Sequence, residues 1–386
     1  MEYYICNNSI RGGNMVSKED LISFSVELVQ NNIERTIRGI SHFGSDSYKK
    51  IKVNSGAAFK SYLETAIRKY SDIKTILYRD APVFLYKFYE DSELLFGDNV
   101  IDASDLDNLL QVSDKIIITG SAGTGKSTLM KHLFLSAIAN KNRIPIFVEL
   151  KNINNIPDIV NLIHSGEYRL LDFIYHSVKS LNFSFEEEYF IRAIDNGNLF
   201  FYFDGFDEVN PEIRELLSLQ IIELSDKYYE NVIIVSSRPD EGFVAWNSFC
   251  EIRMLPLSKK KALSLMNKIE YESEMKERFI DELDKNLYER HKSFASNPLL
   301  LTIMLMSFSQ YSDIPEKIYL FYQQAFETLF TKHDSTKGGY KRKMYTNLAM
   351  DDFVKVLSAF AIQSYSNNNI SFDYTTISKY LNGAKK

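Results

Sequence analysis

Apolar side chains fall at Phe59, Tyr62, Leu63, Ala66, Ile67 and Tyr70, the i, i+3, i+4, i+7, i+8, i+11 spacing that lays one stripe along a helix. The stripe predicts core packing, and residues 1–95 around it read as mostly helical, with Pro82–Tyr89 extended. From about residue 96 the pattern changes to short apolar runs separated by helical segments. The runs are Lys115–Thr119, Pro145–Leu150, Leu199–Phe203, Val232–Ser236 and Cys250–Leu255. Strands alternating with helices predict an α/β fold, a parallel five-stranded sheet flanked by helices, with ligands at the carboxyl ends of the strands. One intervening helix carries a capping-box signature, Ser184 three residues before Glu187, and ends near Gly197. After about residue 256 the strand signals stop. Ser258 is placed to cap a helix through Ala262, Leu263, Leu265, Met266 and Ile269, and further helices are expected over 275–291, 298–309 and 315–332, the last with Pro315 in its first turn.

A chain of 386 residues suggests two or three domains and is ample for a large core; 45% hydrophobic and 25% charged residues are ordinary for a globular protein. The net charge of −6 gives no global basic footprint, so nucleic acid is not an expected ligand by default, and Lys259–Lys261 reads as a solvated first helical turn. Cys6 and Cys250 form no C-x-x-C pair, which suggests a reducing compartment, and none of the six histidines sits in an H-E-x-x-H. No apolar run approaches the ~18 residues of a membrane span. The amino terminus shows no basic segment followed by an apolar one, so a cytoplasmic protein is expected. Met15-Val-Ser-Lys-Glu-Asp reads as a normal start, which would make residues 1–14 an artefact upstream of it.

The chemistry concentrates at Gly120-Ser-Ala-Gly-Thr-Gly-Lys126-Ser127-Thr128, a complete G-x-x-x-x-G-K-[ST] loop between an apolar run and a helix with Leu129, Leu133, Phe134 and Ala137 on one face. That context predicts binding of a nucleoside triphosphate by Gly120, Ser121, Ala122, Gly123, Thr124, Gly125, Lys126, Ser127 and Thr128. Lys126 would reach the β- and γ-phosphates and the Ser127 hydroxyl would sit on Mg²⁺. The run Leu199–Phe203 ends in Asp204-Gly-Phe-Asp207-Glu208. A hydrolytic site needs a carboxylate at a strand end to hold the metal and a second group to activate water. Asp204 suits the metal; Glu208 is the preferred base, with Asp207 sharing or orienting the metal shell. Three carboxylates beside a polyanion imply a cation, hence Mg²⁺. The next run, Val232 to Ser237, ends at Arg238, whose guanidinium could sense a γ-phosphate or pair with a neighbouring carboxylate.

The combination resembles the NACHT family of STAND NTPases, which includes animal inflammasome receptors and bacterial antiphage proteins. The residues that carry the resemblance are the phosphate loop, the Asp204–Glu208 box, Ser236-Ser-Arg238-Pro239 as the sensor-1 segment, Asn297-Pro298-Leu299-Leu300 as the helical-domain proline motif, and Ile314–Tyr322 as the start of a winged-helix region. By this resemblance, residues 1–95 form an amino-terminal, mostly helical region, 96–256 the nucleotide-binding domain, 257–312 a helical domain and 313–386 part of a winged-helix domain. It also implies that Pro298 packs near adenine and that ATP/ADP with Mg²⁺ drives a slow switch which forms a homo-oligomer when a phage or cellular trigger activates it. Neither His333 nor any later residue takes the place of the family's winged-helix histidine. The alternatives are a motor-type P-loop ATPase acting on nucleic acid and a scaffold that binds nucleotide without turnover. Against the motor stand the acidic balance and the absence of a Leu-Ser-Gly-Gly-Gln motif or helicase boxes; against the scaffold stands the intact acidic box.

Overall fold

A computed structural model describes residues 16–36, 45–78, 81–140, 143–184, 186–311, 319–324, 326, 350–369, 372 and 374–384. Residues 1–14, Cys6, His42, Pro315 and His333 lie outside the described residues, as does most of the helix expected over 315–332. The chain divides into two compact units, Met1–Ile314 and Pro315–Lys386.

Two short strands, β1 (Asp72–Ile73) and β2 (Val83–Phe84), pair antiparallel. The main sheet contains β3 (Glu93–Phe96), β4 (Asn99–Asp102), β5 (Lys115–Thr119), β6 (Ile144–Glu149), β7 (Leu199–Asp204), β8 (Val232–Ser237) and β9 (Cys250–Met254), in the order β4-β3-β9-β5-β8-β7-β6. The five expected strands are present and parallel, β5 through β9. The sheet is nonetheless seven-stranded, because the hairpin β3–β4 adds to β9 antiparallel. Its strands have only four residues each, with Leu94 alone buried in β3, too short for alternation to register. The available signal was Gly97-Asp98, a two-residue hairpin loop closed by the Phe96–Asn99 pair, with Gly97 at φ 57°. Strands β5, β7 and β8 are buried along their whole length, which is why they read as continuous apolar runs.

Differences elsewhere are local. Pro82–Tyr89 is extended only at β2 and then turns into a 3₁₀ segment, Leu85–Lys87. The helix after Ser184 begins at Glu187, capped at Glu186, so Glu187 is its first residue rather than its third and the capping box does not form. Ser258 does cap its helix, Lys259–Lys268, accepting from the Lys261 amide at 3.4 Å. The expected 275–291 helix is Ser273–Glu282, continued by a π-helical turn at Leu283–Leu287.

The striped segment belongs to the helix Ser45–Ser71, and all six stripe residues are at most 3% exposed. With the helix Lys18–Thr36 it packs on the helix that follows the phosphate loop, Lys126–Asn140, which contacts β6, β7 and β8 on its other side. That helix is therefore buried almost all round, from Leu129 to Ala139. The free edge of β6 is closed by the same helix pair: the Phe147 amide donates to the Tyr62 hydroxyl at 3.1 Å, and Tyr70 lies 4.4 Å from the Phe147 ring. In the second unit the helices Met350–Ser366 and Tyr374–Ala384 pack through Phe360, 5.0 Å from Phe372 and 5.7 Å from Tyr380. No helix among the described residues is long and apolar enough to cross a membrane.

His132 sits inside this arrangement, 1% exposed, its ring stacked on Tyr89 at 4.4 Å and its Nδ1 3.3 Å from the Tyr86 hydroxyl. Burial pushes its pKa down from 6.5 to about 4. The unfolded chain takes up a proton at the higher value, so the stability contribution of neutral His132 is complete above it and lost as pH falls towards the lower one. Between about pH 7 and pH 4.5 the melting temperature of the wild-type protein should fall several degrees further than that of His132→Phe. Equal falls would acquit His132.

Candidate nucleotide-binding site

Strand β5 delivers Gly120 to the carboxyl end of the sheet, and the chain turns through Gly123 at φ 78° and Gly125 at φ 97°. These backbone angles suit glycine and let the loop curl without a clashing Cβ. The Gly125 carbonyl accepts from the Leu129 amide at 2.9 Å and so starts the following helix. The Lys126 ammonium donates to the carbonyls of Gly120 and Ser121 at 2.7 and 3.0 Å. A cavity of about 400 Å³ opens over the loop. Ala122 through Thr128, Asp207, Glu208, Arg238 and Pro298 all line it; of the expected site residues, Gly120, Ser121 and Asp204 do not.

Asp204 reaches the site through hydroxyls. It is the last residue of β7, 9% exposed, and its Oδ1 accepts from Ser127 Oγ at 3.1 Å and from Ser236 Oγ at 2.5 Å. Ser236 also accepts from the Gly205 amide at 2.9 Å, which ties the tips of β7 and β8 together. Burial pushes the Asp204 pKa up, while the two hydroxyl hydrogen bonds and nearby Lys131 pull it down. Burial likewise lowers the pKa of Lys126, against the attraction of Asp207, Asp204 and Glu208.

The remaining carboxylates are held apart. Asp207 accepts from the Arg238 amide at 3.1 Å and lies 3.0 Å from its Nε, whereas Glu208 lies 3.7 Å from Lys151 Nζ. Their backbone is clamped by side chains: Arg214 donates to the carbonyls of Asp207 and Val209 at 2.9 and 2.8 Å, and Asn154 donates to that of Glu208 at 2.9 Å. The Asn154 Oδ1 accepts from the Asn210 amide at 2.9 Å. Phe206, the apolar residue of the box, packs on Phe243 and Trp246 at 5.7 and 5.4 Å, joining the box to the segment after Arg238. Asn154, Arg214 and Lys151 carry no motif of their own. Ser236 had a signal, since it opens the Ser236-Ser-Arg238-Pro239 segment at a strand tip.

The Ser127 hydroxyl and Asp204 carboxylate are adjacent hard oxygen donors, which suits Mg²⁺ completed by water and phosphate oxygens. Among the described residues no cluster of three or more His, Cys, Asp or Glu could hold a metal; Ser127 and Asp204 are the adjacent pair that would hold one. Away from the loop the cavity becomes apolar, walled by Ile76, Leu77, Phe88, Leu265, Ile269 and Pro298. The nearby charges are already paired: Glu90 lies 2.8 Å from Lys268 Nζ and accepts from Ser264 Oγ at 2.6 Å. Such a slot suits a flat heterocycle.

A phosphate loop after a central parallel strand, with a buried carboxylate two strands away linked to its serine, is the arrangement of the P-loop NTPase fold. Residues 114–271 match the family model of the NACHT domain, and the fold is that of the P-loop NTPases. The chain matches none of the curated proteins. Solved structures similar to it include a Walker-type ATPase of Pyrococcus abyssi, at 12% identity over 73% of this chain and 87% of that one, with a TM-score of 0.38. PCH-2 of C. elegans is 15% identical over 57% of this chain and 62% of that one, with a TM-score of 0.30. Cdc6p of Pyrobaculum aerophilum is 14% identical over 70% and 73% of the two chains, with a TM-score of 0.32. The chain thus spans less than two thirds of the C. elegans protein, and likeness at these levels does not bear on activity.

Ser236→Ala would remove one of the two hydroxyls on Asp204 and leave the Gly205 amide without its acceptor. Turnover should fall about tenfold or more, with the KM for nucleotide changing less. Steady-state kinetics with wild-type kcat would remove Ser236 from the site.

Proposed function

We propose that this protein is a cytoplasmic ATP-dependent switch that hydrolyses slowly, assembles into a homo-oligomer when activated, and serves bacterial antiphage defence. One observation carries the switch: Pro298, Leu299 and Thr302 of the helical region line the same cavity as the phosphate loop and the carboxylate box. A nucleotide in that cavity touches both parts, so the presence or loss of its γ-phosphate has a differential effect on how they pack. The oligomer and the defence role rest on the NACHT resemblance, as do the domain limits 1–95, 96–256, 257–312 and 313–386. The motor alternative is not favoured, since the net charge is −6 and the slot beside the loop is apolar.

In this reading Lys126 turns from the Gly120 and Ser121 carbonyls to the β- and γ-phosphates, and Ser127 with Asp204 holds Mg²⁺. The metal, when bound, neutralises phosphate charge as a Lewis acid. Glu208, half exposed at the cavity wall, orients and deprotonates the attacking water. Asp207 keeps the Arg238 guanidinium at the tip of β8, where it can meet a γ-phosphate through two parallel N–H donors. Pro298 packs against the base.

Two variants separate binding from turnover. Nucleotide at about 100 times its Kd should stabilise the wild-type protein by ~2.7 kcal/mol in thermal melts, and Lys126→Ala should abolish that gain. An unchanged response in the variant would overturn the binding assignment. Glu208→Gln should bind ATP while turnover falls ~10²-fold or more, so that protein denatured after incubation releases ATP instead of ADP on chromatography. Undiminished hydrolysis would take the base role from Glu208.

A further inference from the structure

The helix Pro298–Tyr311 is attached to the phosphate loop by two hydrogen bonds. Asn297, the residue before it and itself buried, donates from Nδ2 to the Ala122 carbonyl at 3.0 Å. The Leu299 amide donates to the Gly123 carbonyl at 3.3 Å. The other end of the same Asn297 side chain caps the helix, Oδ1 accepting from the amides of Leu299 and Leu300 at 3.1 and 3.2 Å. One amide group thus serves the helix with its oxygen and the loop with its nitrogen. The approach is close enough to demand glycine: a Cβ on Gly123 would lie 2.8 Å from Asn297 Oδ1 and 2.9 Å from Leu299 Cβ.

These contacts decide where the loop's own donors face. In a planar trans peptide the C=O and the next N–H point in opposite directions. Holding the Ala122 carbonyl against Asn297 turns the Gly123 N–H away from the helical region, and holding the Gly123 carbonyl against Leu299 does the same for the Thr124 N–H. Ala122, Gly123 and Thr124 all line the cavity. We propose that Asn297 is a positioning residue for nucleotide binding: acting through the Ala122–Gly123 peptide, it aims loop N–H groups at the phosphates and couples their grip to docking of the helical region. Movement of that region off the core releases both carbonyls and loosens the hold on phosphate. By linkage, bound nucleotide keeps the helical region docked to the same extent. The inference rests on the reading that nucleotide phosphates occupy the loop.

The test uses the full chain and two variants that still cap the helix, Asn297→Asp and Asn297→Ser. Neither retains the amide donor, and aspartate sets a carboxylate oxygen against the Ala122 carbonyl. Affinities for ADP and ATP would be measured by titration with fluorescently labelled nucleotides, alongside KM, kcat and nucleotide-free melting temperature. Both variants should melt within about two degrees of the wild type yet bind about tenfold more weakly, the loss falling on KM rather than kcat. Wild-type affinity in both variants would overturn the positioning role while leaving the nucleotide site standing. Affinity lost only in proportion to melting temperature would overturn it too, since Asn297 would then be a helix cap alone. A wild-type protein that binds neither nucleotide would overturn the site and the inference together.

Discussion

The site is organised around a carboxylate that is nine-tenths buried at the tip of an aromatic strand. Asp204 follows Leu199-Phe-Phe-Tyr-Phe203, and a bare charge in those surroundings is costly unless polar groups surround it. The compensation comes from two serines on other segments, Ser127 on the phosphate loop's helix and Ser236 at the end of β8. Because β8 lies between β5 and β7 in the sheet, satisfying this one charge fixes the phosphate loop, the carboxylate box and the Arg238 segment relative to one another. Burial also pushes the Asp204 pKa up, against the hydroxyls of Ser236 and Ser127 and the charge of Lys131.

A site that depends on such exact placement needs a rigid frame, and the amino-terminal helices supply part of it. They cover the free edge of β6 and the outer face of the helix after the phosphate loop, closing with Tyr62 and Tyr70 what would be an exposed strand. That helix is consequently enclosed on two sides, so the loop at its start is built on a fixed base. The helices before β1 are thus structural partners of the nucleotide site.

The acidic box is held mainly through its backbone. Arg214 and Asn154 occupy the carbonyls of Asp207, Glu208 and Val209, and Phe206 anchors the turn on Phe243 and Trp246. The carboxylates themselves remain paired with exchangeable cations, Asp207 with Arg238 and Glu208 with Lys151. A fixed backbone with side chains free to change partners suits a site whose charges must regroup around phosphate. The contact of Asn297 and Leu299 with the phosphate loop extends the same logic to the helical region, where backbone carbonyls again carry the connection.

The amino-acid sequence by itself determined the five parallel strands, the phosphate loop, the acidic box and the buried stripe from Phe59 to Tyr70. Each of these is a local pattern: a continuous apolar run, a fixed spacing of glycines with Lys126, a helical period. It did not reveal the β3–β4 hairpin, whose strands are too short for a period, nor the loss of the capping box at Ser184, which depended on where the helix began. Nor did it reveal which groups the residues that aim the site would hold. Ser236 and Asn297 stood inside motifs with no partner assigned, and Asn154 and Arg214 stood in none; Asn154 is 54 residues from Glu208, and Asn297 is 175 from Ala122. Only the folded chain brings these partners within hydrogen-bonding distance, because a side chain's local pattern carries no mark of the distant backbone carbonyl it will satisfy.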